Sequence, residues 1–511
     1  MKGFRTITTF LLGAAVFAFW MWLYPQGLNY QEQNQLFLFR WDYLWTRLAL
    51  PGGLADYLSE FLVQFFYVRW AGALILALLA MGLQRAVWRA SGVKEGFYAL
   101  SFVPSLLMLV YQGNMEVLLS FPVALLLAVA LVPLFRKAGW HCLWLIPLGW
   151  WLLGPMIAVS VIAALGSSPG LSANASDVTK RYAESNNFLS RHFSDDLRKL
   201  LLSAVQIVWL LVTGFVEYRL LAAQFPMRDA FFGLNYYRLV ESLPALQVVI
   251  PVVAVLCVLG CRMKLRASSA LAVELGALAL FALGTWGGVK LSYDKDAWEV
   301  LAYDNLIRHE RYAEVIRRAE KYQPRNAVSA CSVNFCLFME GQLDKRLFEF
   351  YQCGTEGLVQ PSIRDNVTDI TSAELLWMMG MPNITLQYAF DLQESIQNAR
   401  KSGRFMSRIA DCNIVNGWYD RAEKYLDILE KSLFYRRWAR EKKALIRDEA
   451  KVAADPVYAY VRSVRFIDDF ITAYGGLDVM MAMLYNQNRN NFMAAEYYAA
   501  WQRLKPQGGA Q

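Results

Sequence analysis

The chain has 511 residues, 56% of them apolar and only 18% charged, with a formal net charge of +8 at pH 7. Soluble globular chains carry about 45–50% apolar and about 25% charged residues, so the composition excludes a disordered chain and argues against a wholly soluble one. Residues 1–291 hold 22 Lys+Arg against 14 Asp+Glu, and residues 292–511 hold 29 of each. A nucleic-acid binder shows its basic excess on a polar face. Here the excess flanks apolar runs, where Lys and Arg act as orientation signals, and nucleic acid is not an expected partner.

Crossing a hydrocarbon core takes roughly 17–25 apolar residues. The first such run is 7–24, ITTFLLGAAVFAFWMWLY. Lys2 and Arg5 precede it, so its N-terminus is expected in the cytoplasm. Trp20, Trp22, Tyr24 and Pro25 stand where a signal peptide would carry a small-residue cleavage site, which favours an uncleaved anchor. Further runs cover 70–88, 97–111, 117–135, 142–165, 200–221, 243–260 and 270–291. Eight simple crossings put the tail inside and misplace Arg262, Lys264 and Arg266. Dropping one crossing within 97–135, where the run is short and holds Pro104, puts the tail outside and misplaces Arg136 and Lys137. The reading taken is seven full crossings plus one short or re-entrant segment, with an outward tail.

Between the first two runs lies NYQEQNQLFLFRWDYLWTRLALPGGLADYLSEFLVQFFY, residues 29–67. Leu36, Phe37, Phe39, Trp41, Tyr43, Leu44 and Trp45 predict a helix lying in the membrane interface. Pro51, Gly52 and Gly53 break it. Leu54, Tyr57, Leu58, Phe61, Leu62, Phe65 and Phe66 then recur at helical spacing, giving interfacial helices over 30–66. This layer carries Glu32, Asp42, Asp56 and Glu60. Glu32 follows the first run by eight residues. It is either a general base or metal ligand beside a lipid headgroup, or a solvated or capping carboxylate. Within the last run, Glu274 is an intramembrane ionisable group and hence a functional candidate. Gln206 and Gln247 also fall inside apolar runs. The polar loop 166–198 carries Lys180, Arg181, Arg191, His192 and Arg198, which would bind phosphate if the loop faces a site and are otherwise a solvated face.

No later stretch is apolar enough to span, and residues 292–511 read as helix after helix. Ala495-Glu496-Tyr497-Tyr498 echoes Ala422-Glu423-Lys424-Tyr425, Phe492 matches Tyr419, and Tyr312 stands 107 residues before Tyr419. Gly341, Gly380 and Gly417 recur at 39 and 37 residues. The pattern predicts a tetratricopeptide-type array of about 34-residue units, with small residues letting paired helices approach. Such an array stacks into a surface that takes a peptide or protein. The predicted architecture is thus all-α: a polytopic membrane domain over 1–291 and a helical-repeat domain over 292–511. The seven cysteines include no CxxC, and the three histidines show no metal-ligand spacing, so no metal site is expected. No phosphate-binding loop, dinucleotide fingerprint or nucleophile elbow is present.

EQNQLF (32–37), PGGLADYLSEFLVQFF (51–66), GQLDKRLFEFYQ (341–352) and KYLDILEKSLFYRRWA (424–439) resemble an uncharacterised Bacteroidota family of multi-span inner-membrane proteins with a tetratricopeptide-like tail. The layout also looks like the GT-C glycosyltransferases and oligosaccharyltransferases, although the paired acidic motif frequent after the first span of that superfamily is absent here. That second resemblance implies a polyprenyl-phosphate-linked sugar donor. Glu32 or Asp42 would then be catalytic, Arg40 or Arg191 would hold the phosphates, and a divalent metal would be a possible cofactor. The expected function is a scaffold of the bacterial inner membrane that serves envelope biogenesis. It would touch membrane lipids, recruit a protein or peptide on a periplasmic repeat domain, and need no cofactor. The transferase is the alternative, and a transporter would rest only on Glu274 and the intramembrane glutamines.

Overall fold

A computed structural model describes residues 2–115, 117–166, 186–232, 245–265, 269–360, 367–396, 400–466 and 476–505, with the backbone alone for 186–200. The described residues form helices and connecting turns, with no strand among them. They divide into two compact units: Met1–Pro25 with Arg40–Tyr293, and Gln26–Phe39 with Asp294–Gln511. The stretch expected to form one interfacial layer over 30–66 therefore splits at residue 39. Residues 30–39 of it belong to the unit that contains the tail.

The first unit holds α1 (Lys2–Ala18), α3 (Trp41–Leu48), α4 (Gly53–Val63), α5 (Arg69–Ser91), α6 (Val103–Tyr111) and α7 (Ser120–Ala138). It continues with α8 (Cys142–Leu153), α9 (Ile157–Gly166), α10 (Asn186–Leu221), α11 (Met227–Phe232), α12 (Ala245–Gly260) and α13 (Ala270–Ser292). Five helical stretches are long and apolar enough to cross a bilayer: Gly3–Leu23, Arg69–Ser91, Ser120–Gly166, Leu201–Leu221 and Ala270–Ser292. Tyr98–Tyr111 and Ala245–Gly260 are shorter apolar helices.

Side-chain contacts assign each helix end to one of two ends of this unit. At the first, Arg5 NH1 donates to the Lys94 carbonyl at 2.8 Å and Arg136 donates to the Ala90 carbonyl. Phe97 N donates to Cys261 O at 3.1 Å, and Glu274 accepts from Tyr98 N at 2.7 Å. At the second, the Tyr24 and Tyr293 rings lie 4.6 Å apart and Tyr111 meets Phe121 at 5.0 Å. There Ser292 Oγ donates to Val110 O at 2.6 Å, and Tyr111 OH donates to Gln247 at 3.0 Å. Helices α1, α5, α7, α12 and α13, the Tyr98–Tyr111 stretch and the 206–221 part of α10 each join the two ends.

The segment that returns is α8–α9. It leaves the first end after Ala138, breaks at Gly154 and Pro155, and comes back where Gly166 abuts Leu259. Its tip is held by Gly52 N donating to Trp151 O at 2.8 Å and by Trp151 Nε1 donating to Leu48 O at 2.8 Å. The expectation of a returning segment within 97–135 is thereby corrected to 142–166. The physical reason is the Gly-Pro break, which ends α8 after only 12 residues. With that change Arg5, Arg136, Arg262 and Lys264 share one end, and the conflict among the basic clusters disappears.

In the second unit, α2 (Pro25–Gln33), whose first residue belongs to the first unit, is followed by a turn and then irregular backbone to residue 39. The tail then folds as helical hairpins: α14 (Lys295–Arg308) with α15 (Tyr312–Lys321), and α16 (Ala327–Met339) with α17 (Leu343–Arg346). These are followed by α18 (Thr368–Met378) with α19 (Pro382–Glu394), and α20 (Gly403–Val415) with α21 (Tyr419–Leu429). After α22 (Arg436–Leu445), α23 (Glu449–Ala454) and α24 (Pro456–Val464), a last hairpin pairs α25 (Leu477–Gln487) with α26 (Phe492–Leu504).

Four of these hairpins share one turn. Glu310, Gly341, Gly380 and Gly417 have φ of 56°, 66°, 84° and 75°. The residue after each donates its N–H five positions back: Arg311 to Leu306, Gln342 to Leu337, Met381 to Leu376 and Trp418 to Asn413, at 2.7–3.0 Å. This is the Schellman closure, which needs a left-handed residue to satisfy the last helical carbonyls. Gly341 and Gly417 thus serve the turn and not the close approach of helices, whereas Gly380 serves both, since a Cβ there would stand 2.4 Å from Val464 O. A Cβ on Gly341 or Gly417 would meet nothing within 4 Å. The echoing aromatics Tyr312, Tyr419 and Phe492 each open the second helix of a hairpin.

Because Gly417 is unobstructed, Gly417→Ala is expected to cost about 1 kcal/mol from backbone conformation alone. Glu310→Gly, at the equivalent non-glycine position, is expected to stabilise by up to about 1 kcal/mol. Urea unfolding of the purified protein followed by tail fluorescence checks both signs.

Candidate functional site

The segment 26–39, QGLNYQEQNQLFLF, leads into the most charged interior of the second unit. Leu28 and Phe37 are 1% and 2% exposed, and Glu32, Gln33, Asn34 and Gln35 are buried with them. Its backbone is pinned where Leu36 N donates to Lys401 O at 2.7 Å and Phe39 N donates to Lys431 O at 3.0 Å. Pro25, fixed in φ and lacking an N–H, is suited to open α2.

Glu32 sits in a closed triangle. Tyr435 OH donates to one carboxylate oxygen at 2.9 Å, Arg308 NH1 to the other at 3.2 Å, and Arg308 NH2 donates to Tyr435 OH at 3.1 Å. Next to it, Arg404 NH1 donates to Gln33 Oε1 at 3.0 Å and to Asp304 Oδ2 at 2.8 Å. The polar chain continues: Glu374 takes Arg404 at 3.5 Å and Arg408 more closely. Arg408 also lies 3.6 Å from Asp411, which accepts from Tyr458 OH at 2.7 Å. Burial pushes the Glu374 carboxyl up, but Arg408 and Arg404 outweigh it and hold it below the usual carboxylate range. At Asp411 burial prevails over Arg408 and Tyr458, and its carboxyl is held above the usual range. Helices α14, α18, α20 and α24 and the start of α22 supply this chain, so segment and tail form one hydrogen-bonded interior.

The other expected site residues lie elsewhere. Asp42 and Arg40 pair with each other on the surface, Nε to Oδ1 at 2.7 Å, with side chains 61% and 42% exposed. The hydrogen bond from Arg40 holds the Asp42 carboxyl below its usual value. The Arg191 side chain lies outside the described residues. Glu274, 2% exposed, accepts from Tyr98 N at 2.7 Å and Ala99 N at 2.6 Å. It caps the helical turn that opens the Tyr98–Tyr111 stretch, a use that satisfies N–H groups at the start of a helix among apolar surroundings. Among the described residues no group of three or more His, Cys, Asp or Glu could hold a metal ion.

Sequence reasoning missed the partners of Glu32. Arg308 and Tyr435 are 276 and 403 residues away, and no local pattern links them. It also left unassigned a second buried pair, in the first unit. Arg47 Nε donates to Glu60 at 2.9 Å, Tyr43 OH donates to the same carboxylate, and the Arg47 guanidinium lies over the Tyr43 ring at 4.9 Å. Glu60 is 0% exposed. The apolar stripe of this helix pointed elsewhere: Glu60 shares the inward face with Ala55, Ser59 and Val63, and a buried carboxylate there needs a partner.

The chain belongs to a family of unknown function (DUF6057), which matches it over residues 2–505. No curated protein and no solved structure matches it.

Glu32→Ala strands a buried Arg308 and is expected to destabilise the second unit by about 3 kcal/mol. Hydrogen exchange at the Leu36 and Phe39 amides should rise with it. Asp42→Ala should leave both the unfolding midpoint and those amides unchanged.

Proposed function

We propose that this family member is an integral protein of the bacterial inner membrane that presents its tetratricopeptide-like tail as a protein-interaction scaffold in envelope biogenesis. The observation that carries this reading is the membership of 26–39 in the second unit. A folded polar unit lies on one face of a bilayer. Residue 26, just past the first apolar helix, and residue 294, just past the last, therefore leave the membrane on the same face. Glu32, the one carboxylate of this segment, is bound inside the second unit by Arg308 and Tyr435.

Arg5, Arg85, Arg89, Lys94, Arg136, Lys137, Arg262 and Lys264 all belong to one end of the first unit, as its contacts assign them. Cytoplasmic loops retain Lys and Arg, so that end is read as cytoplasmic and the tail as periplasmic. Exposed tryptophans support a bilayer between the ends: Trp22, Trp41, Trp45 and Trp70 at one, Trp140 and Trp144 at the other. Amphipathic rings prefer headgroup depth.

The transferase reading draws on one observation. Helix α4 carries Asp56 and Glu60 one turn apart, with Arg47 on Glu60. Loss of a surface glycan in a Glu60→Gln strain with normal protein level would favour it, and an unchanged glycan profile counts for the scaffold.

Orientation is the first thing to measure. In a cysteine-free background, Asp42→Cys and Asp420→Cys should react with a membrane-impermeant thiol reagent in intact cells with a permeable outer membrane. Lys94→Cys and Lys137→Cys should react only after lysis. Labelling of Asp420→Cys together with Lys94→Cys, and apart from Asp42→Cys, would sink the common-face argument.

A further inference from the structure

One face of α10 carries two polar groups that have no partner among the described residues. Gln206, Leu210, Thr213 and Gly214 are buried on that face, and Glu217 and Tyr218 continue it half-buried. Thr213 is 5% exposed, and its hydroxyl makes no hydrogen bond. One turn on, Glu217 Oε2 is enclosed and makes none either. Residues four apart lie on the same side of a helix, so the two groups are neighbours.

Both depart from the habit of this chain. Thr8, Thr9, Thr46, Thr285 and Thr385 each donate to the carbonyl four residues back, as helical threonines commonly do. The buried carboxylates of Glu32, Glu60 and Glu274 each accept from two donors. The basic residue nearest to Glu217 in sequence, Arg219, is exposed and lies over the Phe215 ring at 5.3 Å. A carboxylate left bare in apolar surroundings is costly, and an ionisable residue inside an apolar span marks a candidate functional site.

Three rings frame the pair. A Cβ on Gly214 would stand 2.7 Å from the Trp150 ring and 3.2 Å from Phe231, so the glycine lets both rings come down onto α10. Trp150 and Phe231 lie 5.8 Å apart at 69°, and Phe231 and Tyr218 6.3 Å apart at 53°. A carboxylate and a hydroxyl oxygen accept hydrogen bonds, and aromatic faces attract cations. An ammonium group offers three donors, a positive charge and no acceptor, which answers all of these at once. Glu217 stands four residues before Leu221, the end of the apolar stretch. That is about 6 Å along the helix axis, within reach of headgroup depth where α10 spans.

We propose that Glu217 and Thr213, framed by Trp150, Phe231 and Tyr218, bind the primary ammonium group of an amine, carried either by an ethanolamine phospholipid headgroup or by a soluble amine. The lipid source rests on the membrane reading above, the soluble source does not, and neither rests on the scaffold role.

The test uses the full-length protein, purified in mild detergent and delipidated. Phosphatidylethanolamine is titrated under native mass spectrometry, with phosphatidylcholine, whose nitrogen has no N–H, as the control. Ethanolamine is titrated separately by calorimetry. One of the two amines is expected to bind, with E217Q weakening it about tenfold and T213V roughly threefold. E217Q removes an unpaired charge, and T213V keeps the side-chain shape and answers the question if the first variant fails to fold. Phosphatidylethanolamine binding with this dependence assigns the lipid source, and ethanolamine binding with it assigns the soluble one. Equal binding of the two phospholipids with no ethanolamine bound, or amine binding unchanged in both variants, overturns the site. So does the absence of binding by either amine. Failure of the common-face labelling, with amine binding intact, would instead sink the orientation alone.

Discussion

The Glu32 carboxylate, closed in by Arg308 and Tyr435, is the interaction on which the second unit depends. Burying an ion pair is costly unless its remaining bonds are satisfied, and breaking one by removing a partner leaves a charge stranded in low dielectric. Here both carboxylate oxygens accept, and the two donors are bonded to each other. The pair need not add net stability to matter. It specifies register, since only one placement of residues 26–39 aligns Glu32 with Arg308 and Gln33 with Arg404 at once.

The apolar unit answers the same demand. Polar groups in hydrocarbon must find partners inside the protein. Thr9 bonds Gln84 at 2.8 Å, and Gln84 bonds Ser101 at 2.7 Å. Glu274 takes two backbone N–H groups, Gln247 takes Tyr111, and the tip of the α8–α9 hairpin gives its carbonyl to Gly52. Residues that look like transport or catalytic candidates in sequence are here members of local hydrogen-bond sets. The irregular backbone at Gly154 is buried and covered by another turn, at Gly52.

Helical hairpins in the tail repeat a turn more faithfully than a sequence. Three of the four left-handed positions are glycine and the fourth is Glu310, so glycine spacing alone exposes three hairpins and hides one. The aromatic echoes are consistent in position, since each opens a second helix, and not in packing, since Phe492 is exposed while Tyr312 meets Phe335. Packing takes over beyond that: Phe335, Trp377 and Tyr497 fill the interior from different positions of their hairpins, which is why no tight consensus is visible.

Composition, apolar run length and helical periodicity by themselves determined the all-α class, the apolar helices, the break at residues 51–53 and the succession of tail hairpins. These are local properties, set by each segment's own residues and their solvent. Tertiary structure alone decided three things. It sent residues 26–39 into the tail's unit, it made 142–166 the segment that turns back, and it chose which carboxylate meets which arginine. Each depends on groups that are not neighbours in sequence, as far apart as the 403 residues between Glu32 and Tyr435, and a buried charge carries no mark of its partner until the chain has brought the two together.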